Sequence, residues 1–191
     1  ISDVTMAYSH QDKQWLEETI KKHHIPKNYI VIQPTSRWFF KCWNEDKMAT
    51  LITQLQQDNY SIVLTSGPEA KELEMIENIL AQCPDKTSIN VLAGKTSLSQ
   101  LAALIDHAAL FIGVDSVAMH MAAALKTPLV ALFGPSKLEH WHPWQAIGET
   151  IWAGNYAKIP HPDQIKTDTQ QRYLSAIPVD AVFNAAKRYL S

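Results

Sequence analysis

Short continuous apolar runs alternate with amphipathic stretches from Tyr29 to the end of the chain. "YIVIQP", "SIVLTSG", "SINVLAG", "LFIGV" and "PLVALFG" are rich in β-branched residues, the pattern of parallel strands covered on both faces. Between them, "NEDKMATLITQLQQ", "EAKELEMIENILAQC", "SLSQLAALIDHAA" and "SVAMHMAAAL" repeat apolar positions at helical spacing. Asn44 is placed to cap the first of these helices, and Ser97 with Gln100 has capping-box spacing at the third. "VDAVFNAAKRYL" closes the chain as a further amphipathic helix, and "HQDKQWLEETIKKHH" precedes the first strand as another. This alternation predicts an α/β fold with a doubly wound, mostly parallel sheet. Residues 1–28 read as a linker and N-terminal helix, and residues 29–191 as the sheet domain with its terminal helix. The polar opening "ISDVTMAYSHQDK", with Ile1 in first place, reads as the linker of something longer. Residues 134–175 are expected to be mostly irregular, because Pro135, Pro143, Pro160 and Pro162 fall among Trp141, Trp144, His140 and His142.

Composition narrows the function classes. The chain has 191 residues, enough for one large domain whose core needs no staples. Its net charge of −2 gives no electrostatic footprint for nucleic acid or for an acidic membrane surface. Cys42 and Cys83 have no metal or redox spacing and read as the reduced thiols of a cytosolic protein. No apolar run reaches transmembrane length. A G-x-G-x-x-G fingerprint and a Walker A motif are both missing, which disfavours redox-cofactor and P-loop chemistry. "HWHPW" has no identifiable metal-ligand partner, so no metal site is expected.

Chemistry is expected beyond the carboxyl ends of the strands, where helix N-termini offer free N–H groups. Three such ends carry polar residues: "TSRWFFKCW", "SGPEAKE" and "DSVAMH". Thr35 and Ser36 offer hydroxyls while Arg37 and Lys41 offer charge, a set that suits a diphosphate; a solvated loop is the plainer alternative. Trp38, Phe39, Phe40 and Trp43 weigh against that alternative, since so many exposed aromatics are costly. With Ser116 as cap, the first turn of its helix aims N–H groups at a bound anion, and His120 falls on the same face. Asp115 would repel phosphate, and so suits sugar hydroxyls or the orientation of His120. Glu69, or Glu72, is placed for ribose hydroxyls, although a Glu at a helix start often serves only the helix dipole.

The run "GKTSLSQLAALIDHAALFIGVDSVAMHMAAALKTPLVALFGPS" resembles the donor-binding half of the bacterial lipopolysaccharide core heptosyltransferases, glycosyltransferase family nine. The resemblance extends from about Tyr29 to Trp144, and "SRWFFKCW" is most similar to the branch that adds the third heptose. It implies a GT-B architecture of two Rossmann-like domains, with this chain as the C-terminal donor domain and the N-terminal acceptor domain absent. The implied reaction is an inverting transfer of heptose from ADP-heptose to the lipopolysaccharide inner core, with no cofactor and no nucleic-acid partner. A non-catalytic nucleotide or nucleotide-sugar binding module is the alternative. By the same resemblance, Thr35 and Ser36 contact the diphosphate and Lys41 neutralises the leaving group. Glu69 takes the ribose, with Glu72 as the alternative, Asp115 binds heptose hydroxyls, and Ser116 with the Val117 N–H holds phosphate. His120 completes the pocket, and Lys41, Asp115 and His120 are the catalytic candidates. The general base is expected in the missing domain, so the chain alone is expected to bind nucleotide without turnover. The family has Gly where this chain has Val117, whose side chain would crowd a backbone approach to phosphate. The implied location is cytoplasmic, with peripheral contact at the inner membrane through the full-length enzyme.

Overall fold

The computed structural model describes residues 8–135 and 146–190. The first seven residues of the expected linker and the "HWHPW" segment with Pro143 lie outside the described residues. Six strands form one fully parallel sheet: β1 (Ile30–Gln33), β2 (Ile62–Leu64), β3 (Ile89–Val91), β4 (Leu110–Val114), β5 (Leu129–Phe133) and β6 (Gly148–Trp152), in the order β3-β2-β1-β4-β5-β6. The helices are α1 (His10–His23), α2 (Glu45–Gln57), α3 (Ala70–Ala81), α4 (Leu98–Asp106), α5 (Val117–Ala124) and α6 (Val179–Tyr189).

The interior strands β2, β4 and β5 carry no polar side chain because both of their faces are covered by helices. On one face, Ile30 and Ile32 of β1 with Leu110 and Ile112 of β4 pack beneath α2, α3 and α6. On the other, Val31, Phe111 and Phe133 pack with Leu104 of α4 and Met119 and Ala122 of α5. Leu16 of α1 joins this second layer, so the N-terminal helix shares the core of the sheet domain. The chain leaves β1 toward one edge through α2, and after β3 crosses back through α4 to place β4 beside β1 on its other side. That reversal opens a crevice between the carboxyl ends of β1 and β4, where sheets of this order receive ligands.

Two local expectations need correction. Residues 148–152, inside the stretch read as irregular, form the edge strand β6, paired with β5 from Leu129↔Gly148 to Phe133↔Trp152. "GETIW" lacks the apolar run of its neighbours because an edge strand is covered on fewer sides; only Ile151 is buried. Gly148 begins it at φ 138, where a Cβ would lie 1.8 Å from the Leu129 carbonyl oxygen, so only glycine fits the start of the strand. Asn44 occupies the N-cap position of α2 without making a side-chain cap hydrogen bond, and its buried Oδ1 has no partner among the described residues. Ser97 and Gln100, by contrast, form both halves of their capping box at α4.

Candidate functional site

A cleft of about 550 Å³ opens at the β1/β4 reversal. Thr35 and Ser36, buried directly beyond β1, form its floor with Asp115 and Ser116 beyond β4. The β1 loop then makes one turn of 3-10 helix, Phe39–Lys41, and returns Lys41 over the crevice. Lys41 Nζ donates to Asp115 Oδ2 at 2.9 Å, with 18% of the lysine side chain and 4% of the aspartate side chain exposed. The pair bridges the two strands on either side of the reversal. It offsets part of the cost of burying the carboxylate, and the lysine side chain remains partly exposed at the cleft.

Two helices begin at this cleft. Ser116 accepts from the Met119 N–H at 3.4 Å and starts α5. Ser97 accepts from the Gln100 N–H at 3.1 Å and starts α4. Both helices therefore offer the positive ends of their dipoles to whatever occupies the cleft. His120, one turn into α5, is exposed and lines the same cavity. Val117, 62% exposed, stands beside it at the opening. Among the described residues only His24, Asn59 and Lys126 are non-glycine residues with positive φ. Val117 thus takes a backbone conformation open to any L residue, and the valine adds a side chain to the opening without strain.

Glu69 does not join the cavity. It stands exposed at the N-cap of α3, and of the two glutamates the one that lines the cleft is Glu72, 7% exposed. One turn of helix separates the two: the cap faces solvent, while Glu72 turns back beneath the β2 loop. Its Oε1 accepts from Thr35 Oγ1 at 2.8 Å and from the Gly67 N–H at 3.2 Å. Lys41, Thr35, Ser36, Asp115, Ser116, Val117 and His120 all line one cavity.

Sequence reading missed two further contributions. The loop after β3 brings Thr96, Ser97 and Leu98 to the cleft wall as a fourth strand-end turn; the capping box was visible, and its place on the same sheet edge was the available signal. Arg172, in the connection between β6 and α6, clamps the β1 loop. Its guanidinium donates to the Trp43 carbonyl at 2.8 Å, pairs with Glu45, and lies 4.1 Å over the Phe39 ring. Trp43 is 1% exposed and donates its indole N–H to the Ile177 carbonyl at 3.2 Å. Behind the loop, burial pushes the Cys42 thiol up to about 12, so it stays a neutral thiol packed against the Ser36 N–H. The aromatics of "SRWFFKCW" are divided: Phe40 and Trp43 fill the interior, while Trp38 remains 37% exposed at the cavity wall.

Known proteins share this chain's sequence pattern and its fold. Residues 2–173 match the family described as Glycosyltransferase family 9 (heptosyltransferase). The chain is 43% identical over 189 residues to lipopolysaccharide heptosyltransferase 3 of Escherichia coli strain K12, covering 99% of this chain and 54% of that protein. Among solved structures, a family 9 glycosyl transferase from Veillonella parvula superposes with a TM-score of 0.81 at 25% identity, over 97% of this chain and 53% of that one. The E. coli ADP-heptose lipopolysaccharide heptosyltransferase II follows at 0.74 and 25%, with the same coverage. The chain spans about half the length of the curated relatives it matches.

Proposed function

Since the chain belongs to glycosyltransferase family 9, we propose that it is the donor-binding part of an inverting heptosyltransferase, holding ADP-heptose for transfer to a lipopolysaccharide inner-core acceptor. The similarity to heptosyltransferase 3 favours the third heptose as the sugar transferred. The observation that carries the reading is the Lys41–Asp115 ion pair at the β1/β4 reversal, which sets a partly exposed cation beside a carboxylate inside one cleft. A nucleoside diphosphate sugar needs that combination: positive charge for the diphosphate and an acceptor for sugar hydroxyls.

In this reading an acceptor hydroxyl attacks the anomeric carbon as the bond to the diphosphate breaks, and configuration inverts. Charge develops on the departing ADP, where Lys41 and the N-terminus of α5 stabilise it. Leaving-group stabilisation of this kind requires no divalent metal or other cofactor. The Ser36 hydroxyl accepts from the Trp38 N–H at 3.1 Å, which leaves its proton to donate to a phosphate oxygen. Asp115 accepts from heptose hydroxyls and His120 closes the sugar pocket. Glu72 meets the ribose. We assign the group that takes the acceptor's proton to the part of the relatives' length that this chain does not cover. No described helix is long and apolar enough to cross a membrane, and we place the full-length enzyme on the cytoplasmic face of the inner membrane, in peripheral contact with its lipid-borne acceptor.

Calorimetric titration of the chain with ADP, UDP and NAD tests the donor class: saturable binding of ADP in preference to the other two is expected, and indifference to all three would refute it. In the full-length enzyme, Lys41→Ala should lower kcat on the order of 100-fold. Unchanged turnover with weaker ADP binding alone would instead identify a binding module.

A further inference from the structure

Thr35 and Ser36 look interchangeable as phosphate ligands, yet their hydroxyl protons go to different places. A threonine hydroxyl carries one proton, and that of Thr35 is given to Glu72 Oε1 at 2.8 Å, in a bond that is fully buried on the Thr35 side. What remains on Thr35 Oγ1 is lone pairs, which a phosphate oxygen has no proton to meet. Ser36 is the reverse case: its Oγ accepts from a backbone N–H and makes no donor bond among the described residues.

The same contact restrains Glu72. Oε1 takes both the Thr35 hydroxyl and the Gly67 N–H, and Oε2 has no hydrogen bond among the described residues. Gly67 fits closely over that second oxygen, since a Cβ there would lie 2.5 Å from Oε2. One carboxylate oxygen is therefore anchored from two directions while the other stays available, on a residue that lines the cleft. A carboxylate held in this way suits the vicinal hydroxyls of a ribose.

We infer that Thr35 is a positioning residue for Glu72: it spends its proton fixing the carboxylate that discriminates ribose from deoxyribose, and it gives no hydroxyl bond to the diphosphate. This rests on the nucleotide reading above. It separates two adjacent residues by task, Ser36 serving the phosphates and Thr35 the sugar of the nucleotide through Glu72.

The test measures binding of adenosine, ADP and 2′-deoxy-ADP to the chain and to its Thr35→Val and Thr35→Ser variants, with thermal melting to confirm folding. The unsubstituted chain should prefer ADP to 2′-deoxy-ADP by on the order of tenfold, the worth of one hydrogen bond to a charged group. Thr35→Val should erase most of that preference and weaken adenosine and ADP by the same factor. Thr35→Ser, which keeps the hydroxyl, should retain the preference. Weakening of ADP with adenosine unaffected would make Thr35 a phosphate ligand and overturn the inference, as would an unchanged ribose preference in Thr35→Val. Should that variant fail to melt cooperatively, the unsubstituted chain decides with Thr35→Ser: equal affinity for ADP and 2′-deoxy-ADP in either overturns the inference. Failure of the unsubstituted chain to bind ADP at all would instead remove the nucleotide reading, a separate and visible result.

Discussion

The two loops that meet at the cleft are built by opposite means. The turn after β4 is short and local: Asp115 ends the strand, Ser116 caps α5 three residues from the N–H it accepts, and His120 follows within the helix. The loop after β1 is held from far away. Arg172 reaches it across 129 positions of sequence to bond the Trp43 carbonyl, and Trp43 reaches Ile177 across 134. A turn stabilised within itself costs little to form, whereas a loop that delivers a cation over a crevice needs an outer frame. Lys41 and Asp115 then join the two, 74 positions apart in sequence and 2.9 Å apart in space.

If the β1 loop depends on that frame, removing its interior anchor should be the most damaging change. Trp43→Ala should cost about 3–5 kcal/mol of unfolding free energy, the range for emptying a buried aromatic site, read by urea denaturation. A loss below about 1 kcal/mol would show that the loop is held locally after all. Arg172→Ala comes next. It leaves the Trp43 carbonyl and Glu45 without their partner, and should weaken ADP binding roughly tenfold through Lys41. Added to Lys41→Ala the same change should do nothing further to ADP affinity, because a residue acting through Lys41 has no effect once Lys41 is gone. Additive losses in that cycle would mean the clamp serves stability alone. The smallest effect belongs to the local turn. Ser116→Ala should remove one N-cap bond and lower stability by about 1 kcal/mol, visible as a shift of the denaturation midpoint with the same slope. A loss as large as that of Trp43→Ala would erase the contrast between the two loops.

Legibility followed the same division. Five strands, the six described helices, the capping box at Ser97 and the Ser116 cap were all readable, since each is written in residues no more than a few positions apart. The strand β6 was not readable, because an edge strand beside a proline-rich segment shows no continuous apolar run. Of the site, the three strand-end turns and the candidates Lys41, Asp115, Ser116 and His120 were identified from residue type and place on the sheet edge, and all line one cleft. The reading that put Glu69 ahead of Glu72 missed because both sit near a helix start, and only the packing of α3 against the β2 loop turns one outward and the other in.

Sequence alone determined the layered architecture and the edge on which chemistry could occur, because apolar periodicity and helix capping are properties of neighbouring residues. Tertiary structure decided which groups pair across that edge: Lys41 with Asp115, Thr35 with Glu72, and Arg172 with the β1 loop. Those partnerships arise only when strands, loops and helices distant in sequence assemble around one sheet. Each joins residues dozens of positions apart or more, and no pattern within a short window specifies which distant side chain will arrive at hydrogen-bonding distance.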